Sequence, residues 1–311
     1  MSDEHLNSLL PGSTELSFNE VEAALAGVLR TRETRRQSIP RASTGTLVVV
    51  GKPSQLAPAI QALEEVDKAS GVRAILISEG TESRPTVWIS DSIVAIDGLA
   101  PRYLNNAVAA LRLPCMPAIV WWRGGSLKAL KDLTMLADRV VLDAENPDEV
   151  WQQIGAFLEN TALTDLRWTR LTRWRAVLAH LFDLPRVRAA APGFRRLTIE
   201  AYDRPGARLF AAWLVASLRW PAKNIDIRTV SGGGPSILKS VQLLGDPLSI
   251  GIRMLSGQDC LEASIEGDET DVRIAPLGEA TLSAWIGEEL AVRARDRAFE
   301  HALTALQELY A

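Results

Sequence analysis

The chain has 311 residues, of which 47% are apolar, and a net charge of −4 with both signs mixed along its length. That length points to two domains and the apolar share to a sizeable core, which excludes global disorder. The charge balance gives no electrostatic basis for nucleic acid or an anionic membrane as partner. Cys115 and Cys260 are the only cysteines. They form neither a CxxC pair nor a zinc spacing with histidine, and they are expected as two buried thiols in a reducing cytosol.

The first residues, MSDEHLNSLLPGSTE, are acidic and polar, unlike a signal peptide, and no apolar run is long enough to span a bilayer. A cytoplasmic protein is the expectation. Ser17 and Glu20 have capping-box spacing, and Val21, Ala24, Leu25 and Val28 follow with helical period. The basic run RTRETRRQ and Pro40 close a helical segment over 1–40.

From Thr46 the grammar changes. LVVVG reads as a buried strand, and Gly51, Lys52 and Pro53 turn it into a helix that Ser54 is placed to cap. Strands are expected over Val72–Ser78, Thr86–Ser90, Ile93–Asp97, Pro117–Trp122 and Arg139–Asp143. Helices are expected over Pro101–Leu113 and Leu127–Leu136, and from Pro147 to Leu158. Continuous apolar strands alternating with helices mark a mostly parallel open sheet with helices on both faces, a Rossmann-like α/β domain over 41–164. ENTALTD, after Leu158, reads as the boundary.

Asp165–Asp183 is strongly helical in pattern. After it come a strand (Arg196–Tyr202), a helix that Pro205 starts (Arg204–Leu218), and short alternating segments over Ile225–Val230, Ile237–Leu243, Leu248–Leu255, Cys260–Glu266 and Val272–Ala275. A helical stretch over Glu279–Tyr310 ends the chain. Residues 165–311 therefore read as an α+β domain with an antiparallel sheet.

Catalytic constellations are hard to find. There is no GxSxG elbow or HExxH pair, and His5, His180 and His301 read as ordinary terminal or helical residues. Gly51-Lys52-Pro53-Ser54, Gly124-Gly125-Ser126 and Ser231-Gly232-Gly233-Gly234-Pro235 are weak phosphate-loop candidates without P-loop or GxGxxG spacing. Asp91, Asp97, Asp138 and Asp143 fall near strand ends, where α/β sites are built, but also where carboxylates cap turns. Neither a catalytic set, a cofactor site nor a metal site is assigned.

DLRWTRLTRWR, Asp165–Arg175, differs in kind. Leu171, Trp174, Leu178, Leu181 and Phe182 make a helical stripe for which Thr172 is a candidate N-cap. Arg167, Arg170, Arg173 and Arg175 interleave with Trp168 and Trp174, the residue types enriched at binding hot spots and able to stack on one another. Residue chemistry leaves two main readings open for Trp168, Arg170, Leu171, Trp174 and Arg175, a partner-binding surface or a domain hinge; nucleic acid is a third, which the acidic balance of the chain disfavours.

The stretch resembles the DL-x-W-T-R-L-x-x-W-R segment of the OpcA family. RASTGTLVVV (Arg41–Val50), LPCMPAIVWWRG (Leu113–Gly124), ADRVVLDA (Ala137–Ala144) and AHLFD (Ala179–Asp183) resemble further blocks of that family in the same order. Arg173 stands in place of an expected proline, Ala144 in place of a serine, and Gly45 interrupts a run that is usually more apolar. The resemblance implies a non-catalytic cytoplasmic protein, without cofactor, that binds glucose-6-phosphate dehydrogenase and promotes its assembly or activity in the oxidative pentose phosphate pathway. The competing reading is a sugar-phosphate- or nucleotide-binding α/β protein or enzyme.

Overall fold

The computed structural model describes residues 10, 13–16, 20, 44–70, 72–82, 85–90, 93–113, 115–153, 161–220, 224–234, 236–255, 257, 259–267, 270–292 and 294–310. The helix expected over Val21–Val28, the end of the one expected to reach Leu158, Asp91 and Pro235 lie outside these residues. The chain divides into two units, one of residues 1–164 and 286–295, the other of residues 165–285 and 296–311.

In the first unit the chain runs β1 (Thr14–Leu16), β2 (Gly45–Gly51), α1 (Pro53–Ser70), β3 (Val72–Glu82), β4 (Thr86–Ser90) and β5 (Ile93–Leu99). A short 3-10 turn then leads to α2 (Leu104–Leu111), β6 (Ala118–Trp122), α3 (Leu127–Thr134), β7 (Arg139–Leu142), α4 (Asp148–Gln153) and β8 (Ala162–Asp165). The eight strands form one sheet in the order β1-β4-β5-β3-β2-β6-β7-β8. Parallel pairing joins β5, β3, β2, β6 and β7, while β4 and β1 extend the sheet antiparallel. From β2 the order runs outward to β3 and β5, then returns to β6 and continues the other way. Right-handed crossovers therefore lay α1 on one face and α2 and α3 on the other. Every residue of β2 is buried, as cover on both faces requires.

Gly45 explains its own departure from an apolar run: a Cβ there would lie 2.9 Å from the Pro117 carbonyl oxygen, which accepts the Thr46 N–H at 2.8 Å. The segment ALTD, within the run read as the boundary, forms β8, buried throughout, because the Thr161 hydroxyl and the Ala162 N–H bond back to the carbonyls of Ala137 and Asp138. One expectation needs correction. Cys115 is exposed rather than buried, since it sits at φ +60° in the turn between α2 and β6.

The second unit holds α5 (Leu166–Arg170), α6 (Thr172–Phe182), α7 (Pro185–Ala190), β9 (Phe194–Ala201), α8 (Arg204–Leu218) and β10 (Ile225–Thr229). β11 (Leu238–Gly245), β12 (Ser249–Met254), β13 (Cys260–Glu266) and β14 (Asp271–Pro276) follow, with α10 (Arg297–Tyr310) last. Before α10 comes α9 (Leu282–Ala291), so the helical stretch expected over 279–310 holds two helices. The sheet order is β10-β9-β11-β12-β13-β14, parallel only between β9 and β10, where α8 makes the crossover. Leu197, Ile199, Val241, Leu243, Ile250, Ile252, Leu261, Ala263 and Ile265 bury one face. α8 packs against β9 and β10, and α6 against β13.

Candidate functional site

The Asp165–Arg175 stretch builds a hub inside the second unit. Asp165 caps α5 by accepting the Arg167 N–H at 2.8 Å. Arg167 Nε lies 3.0 Å from Asp203 Oδ2, and Asp203 caps α8 by accepting the Gly206 N–H at 2.7 Å. One guanidinium thus serves the N-terminal carboxylates of two helices. Trp168 donates its indole N–H to Asp296 Oδ2 at 2.7 Å, and Oδ1 of the same carboxylate accepts the Phe299 N–H at the start of α10. The Arg175 guanidinium stacks 3.5 Å from the Trp168 ring centroid and donates to Trp168 O and Thr172 Oγ1. Arg170 stacks on Trp285, and Trp174 donates to Ser236 Oγ at 2.8 Å, just ahead of β11.

Trp168, Leu171 and Trp174 are 1%, 0% and 0% exposed, and Arg170 and Arg175 are half-buried. Thr172 is not the N-cap expected of it: it is the first residue of α6, Leu171 precedes it in helical conformation, and its hydroxyl serves Arg175 instead. The partners Asp203, Ser236 and Asp296 are not among the residues that sequence reasoning singles out. Only Asp203 carries a local signal, a cap residue directly before Arg204-Pro205.

The opposite face of the six-stranded sheet is open. Hydrogen-bonded register carries one row across all six strands: Val272, Ser264, Gly251, Gln242, Thr198 and Asp226. Each of these is half-buried or exposed, and Val272 and Ile274, two residues apart on the edge strand, are 54% and 65% exposed. The next row, Ile274, Glu262, Arg253, Ser240, Glu200 and Arg228, is charged but paired: Arg253 Nε lies 2.7 Å from Glu262, Glu200 is 3.2 Å from Lys239 Nζ beside the row, and Arg228 is 2.6 Å from Asp226 of the first row. A row of mostly small, uncharged side chains beside self-neutralised charge gives a flat surface of low desolvation cost.

In the first unit the phosphate-loop candidates lie where side chains already meet. Gln55 Oε1 accepts the Lys52 N–H at 2.9 Å and Gln55 Nε2 donates to the Arg123 carbonyl at 3.1 Å. Glu79 accepts the Ser126 N–H at 2.9 Å. Burial pushes the Glu79 carboxyl above its usual range, and the Ser126 hydrogen bond pulls it partly back. The strand-end aspartates are engaged in the fold: Asp97 with the Ser78 hydroxyl, Asp138 with the Ala118 N–H, and Asp143 with Trp121 Nε1 and Arg123 Nε at 3.1 and 3.0 Å. Among the described residues no cluster of three or more metal-ligating side chains occurs, and no helix is long and apolar enough to cross a membrane.

Glu79 has a pH consequence. Its folded pKa is raised, so the folded state holds more protons than the unfolded state above the ordinary carboxylate pKa, and stability falls as pH rises through that window. Glu79→Gln keeps an acceptor for Ser126 and removes the buried charge. Urea unfolding between pH 4 and pH 7 is expected to give a flatter stability profile for this variant than for the wild type; parallel profiles would contradict the assignment.

Residues 161–303 match the family described as the C-terminal domain of a glucose-6-phosphate dehydrogenase subunit. The chain is 26% identical over 126 residues to a Synechocystis sp. protein and 28% identical over 127 residues to one from Nostoc punctiforme; both are named OpcA and placed by name in the OxPP cycle. Each match covers 38% of this chain, and 26% and 27% of the respective relative, so the matched region is about a quarter of their length. The structure is also similar to the aldose-aldose oxidoreductase of Caulobacter crescentus, with a TM-score of 0.50 and 12% identity over 86% of this chain and 96% of that one. At that identity the likeness speaks of fold alone.

Proposed function

We propose, from the premise that this chain belongs to the OpcA family, that it acts without chemistry of its own as a binding partner of glucose-6-phosphate dehydrogenase, promoting that enzyme's assembly or activity. The observation that carries the reading is the domain match over 161–303, which falls largely in the unit with the open sheet. On this reading the row Val272 to Asp226 meets the dehydrogenase, and the Asp165–Arg175 hub, whose Trp168, Leu171 and Trp174 are buried within the same unit, holds the sheet in the shape that docks. A partner of this kind acts only by binding one state of the enzyme better than the others.

Mixing the purified proteins and following dehydrogenase activity together with particle mass tests the reading. Formation of a complex with a change in activity is expected; no change in either across a range of ratios sinks it. Gln242 and Val272 are exposed, so Gln242→Arg with Val272→Glu is expected to leave stability within about 0.5 kcal/mol. The same pair places unpaired charge in the docked surface and is expected to weaken the complex at least about tenfold. A double variant that binds like the wild type would move the contact off this face.

A further inference from the structure

In the first sheet β2 and β6 are neighbours, and the crossover after β2 runs to β3 on one side while the crossover after β6 runs to β7 on the other. The carboxyl end of such a pair is where an open α/β sheet forms a crevice, because the helices that follow lie on opposite faces. Glu79 stands near the end of β3, level with the residues that follow β2, and Ser126 opens α3 after β6. Since β3 and β6 flank β2, a hydrogen bond between Glu79 and Ser126 crosses the carboxyl end of β2. Both carboxylate oxygens reach the Ser126 N–H, at 2.9 and 3.2 Å.

We infer that Glu79 is a built-in strap that closes this crevice from within, its carboxylate standing where an anionic ligand would meet the start of α3. Free N–H groups at a helix start attract anions, and a side-chain carboxylate satisfies them as a phosphate oxygen would. Gly125 makes the approach possible: its φ is +129°, and a Cβ there would overlap the Glu79 carboxylate. The rest of the crevice is filled in the same manner. The Gln55 side chain occupies the turn after β2 and ties it to Arg123. Pro53 and Leu56 stand where a dinucleotide fingerprint that began at Gly51 would place its second and third glycines. The Arg123 guanidinium pairs with Asp143, donates to the Gln55 carbonyl and lies over the Trp121 ring. This inference concerns the first unit and stands apart from the partner assigned above.

The test uses the full chain, inorganic phosphate as probe and thermal unfolding as readout. Wild type is expected to be unmoved by phosphate beyond the general effect of matched ionic strength. Glu79→Ala removes the strap and is expected to gain a phosphate-dependent rise of roughly 3–6 °C once phosphate exceeds its dissociation constant about tenfold. Glu79→Gln keeps the side chain's length but replaces its charge by a weaker neutral acceptor, and is expected to respond at phosphate levels that leave the wild type unchanged. It decides the matter if the alanine variant does not fold. Folded variants that respond no more than the wild type overturn the inference, and so does a wild-type response equal to theirs.

Discussion

Trp168→Ala is expected to cost the chain about 3–5 kcal/mol in urea unfolding, the range of a fully buried tryptophan cut to a methyl group. The cost has separable parts. The indole is 1% exposed, so its removal leaves a cavity beside Phe299, whose ring centroid lies 5.7 Å away. The Asp296 carboxylate loses the donor at 2.7 Å that fixes it at the start of α10, and the Arg175 guanidinium loses the ring it stacks on. Trp168→Phe restores most of the ring but not the indole N–H, and is expected to recover all but about 1–3 kcal/mol, the penalty for an unsatisfied partly buried acceptor. Under the proposed function, loss of dehydrogenase binding should then track the loss of folded protein. A Trp168→Ala variant that keeps its urea midpoint while losing the complex would instead make the indole a contact residue and reverse the role given to the hub.

How much of this is legible in the sequence depends on where each residue's partners lie. β2, β6 and β7 are readable because strands covered on both faces are apolar at nearly every position, a signal that needs no neighbour to interpret it. The antiparallel strands are readable from alternation, as in Cys260–Glu266, where the expected and observed bounds coincide. β8 is not, because ALTD has four residues, two of them polar, and their burial depends on groups supplied from elsewhere in the chain. The Trp and Arg stretch announces itself by composition, yet composition does not tell a stacked, internally bonded arginine from one offered to a partner. Arg175 illustrates this: its 3.5 Å approach to Trp168 and its hydrogen bonds to Trp168 O and Thr172 Oγ1 distinguish the two. Glu79 gives no signal at all. It follows the apolar run Ala74–Ile77 within β3 like any strand-end carboxylate, and its significance comes from sheet order, which sets β3 and β6 on either side of β2.

Arg139 and Glu289 provide the other large effect. Their side chains are 4% and 6% exposed, with Arg139 Nη2 2.6 Å and Nε 3.0 Å from the same carboxylate oxygen. Arg139 also donates to the Ala294 carbonyl at 3.0 Å, so one guanidinium at the start of β7 holds the 286–295 segment at two points. Glu289→Ala is expected to destabilise the chain by about 3–5 kcal/mol, because it leaves a buried guanidinium without its carboxylate. Arg139→Met is expected to fall in the same range by exposing the converse fault. The pair replaced together, Arg139→Met with Glu289→Leu, is expected to recover much of the loss, since an apolar pair of similar volume removes both desolvation penalties at once. Urea midpoints of the two single variants and the double variant form a cycle whose coupling term reads the interaction directly. Additive losses would mean that the two side chains contribute independently. A coupling of several kcal/mol would identify this pair as what keeps a segment from late in the sequence packed within the first unit.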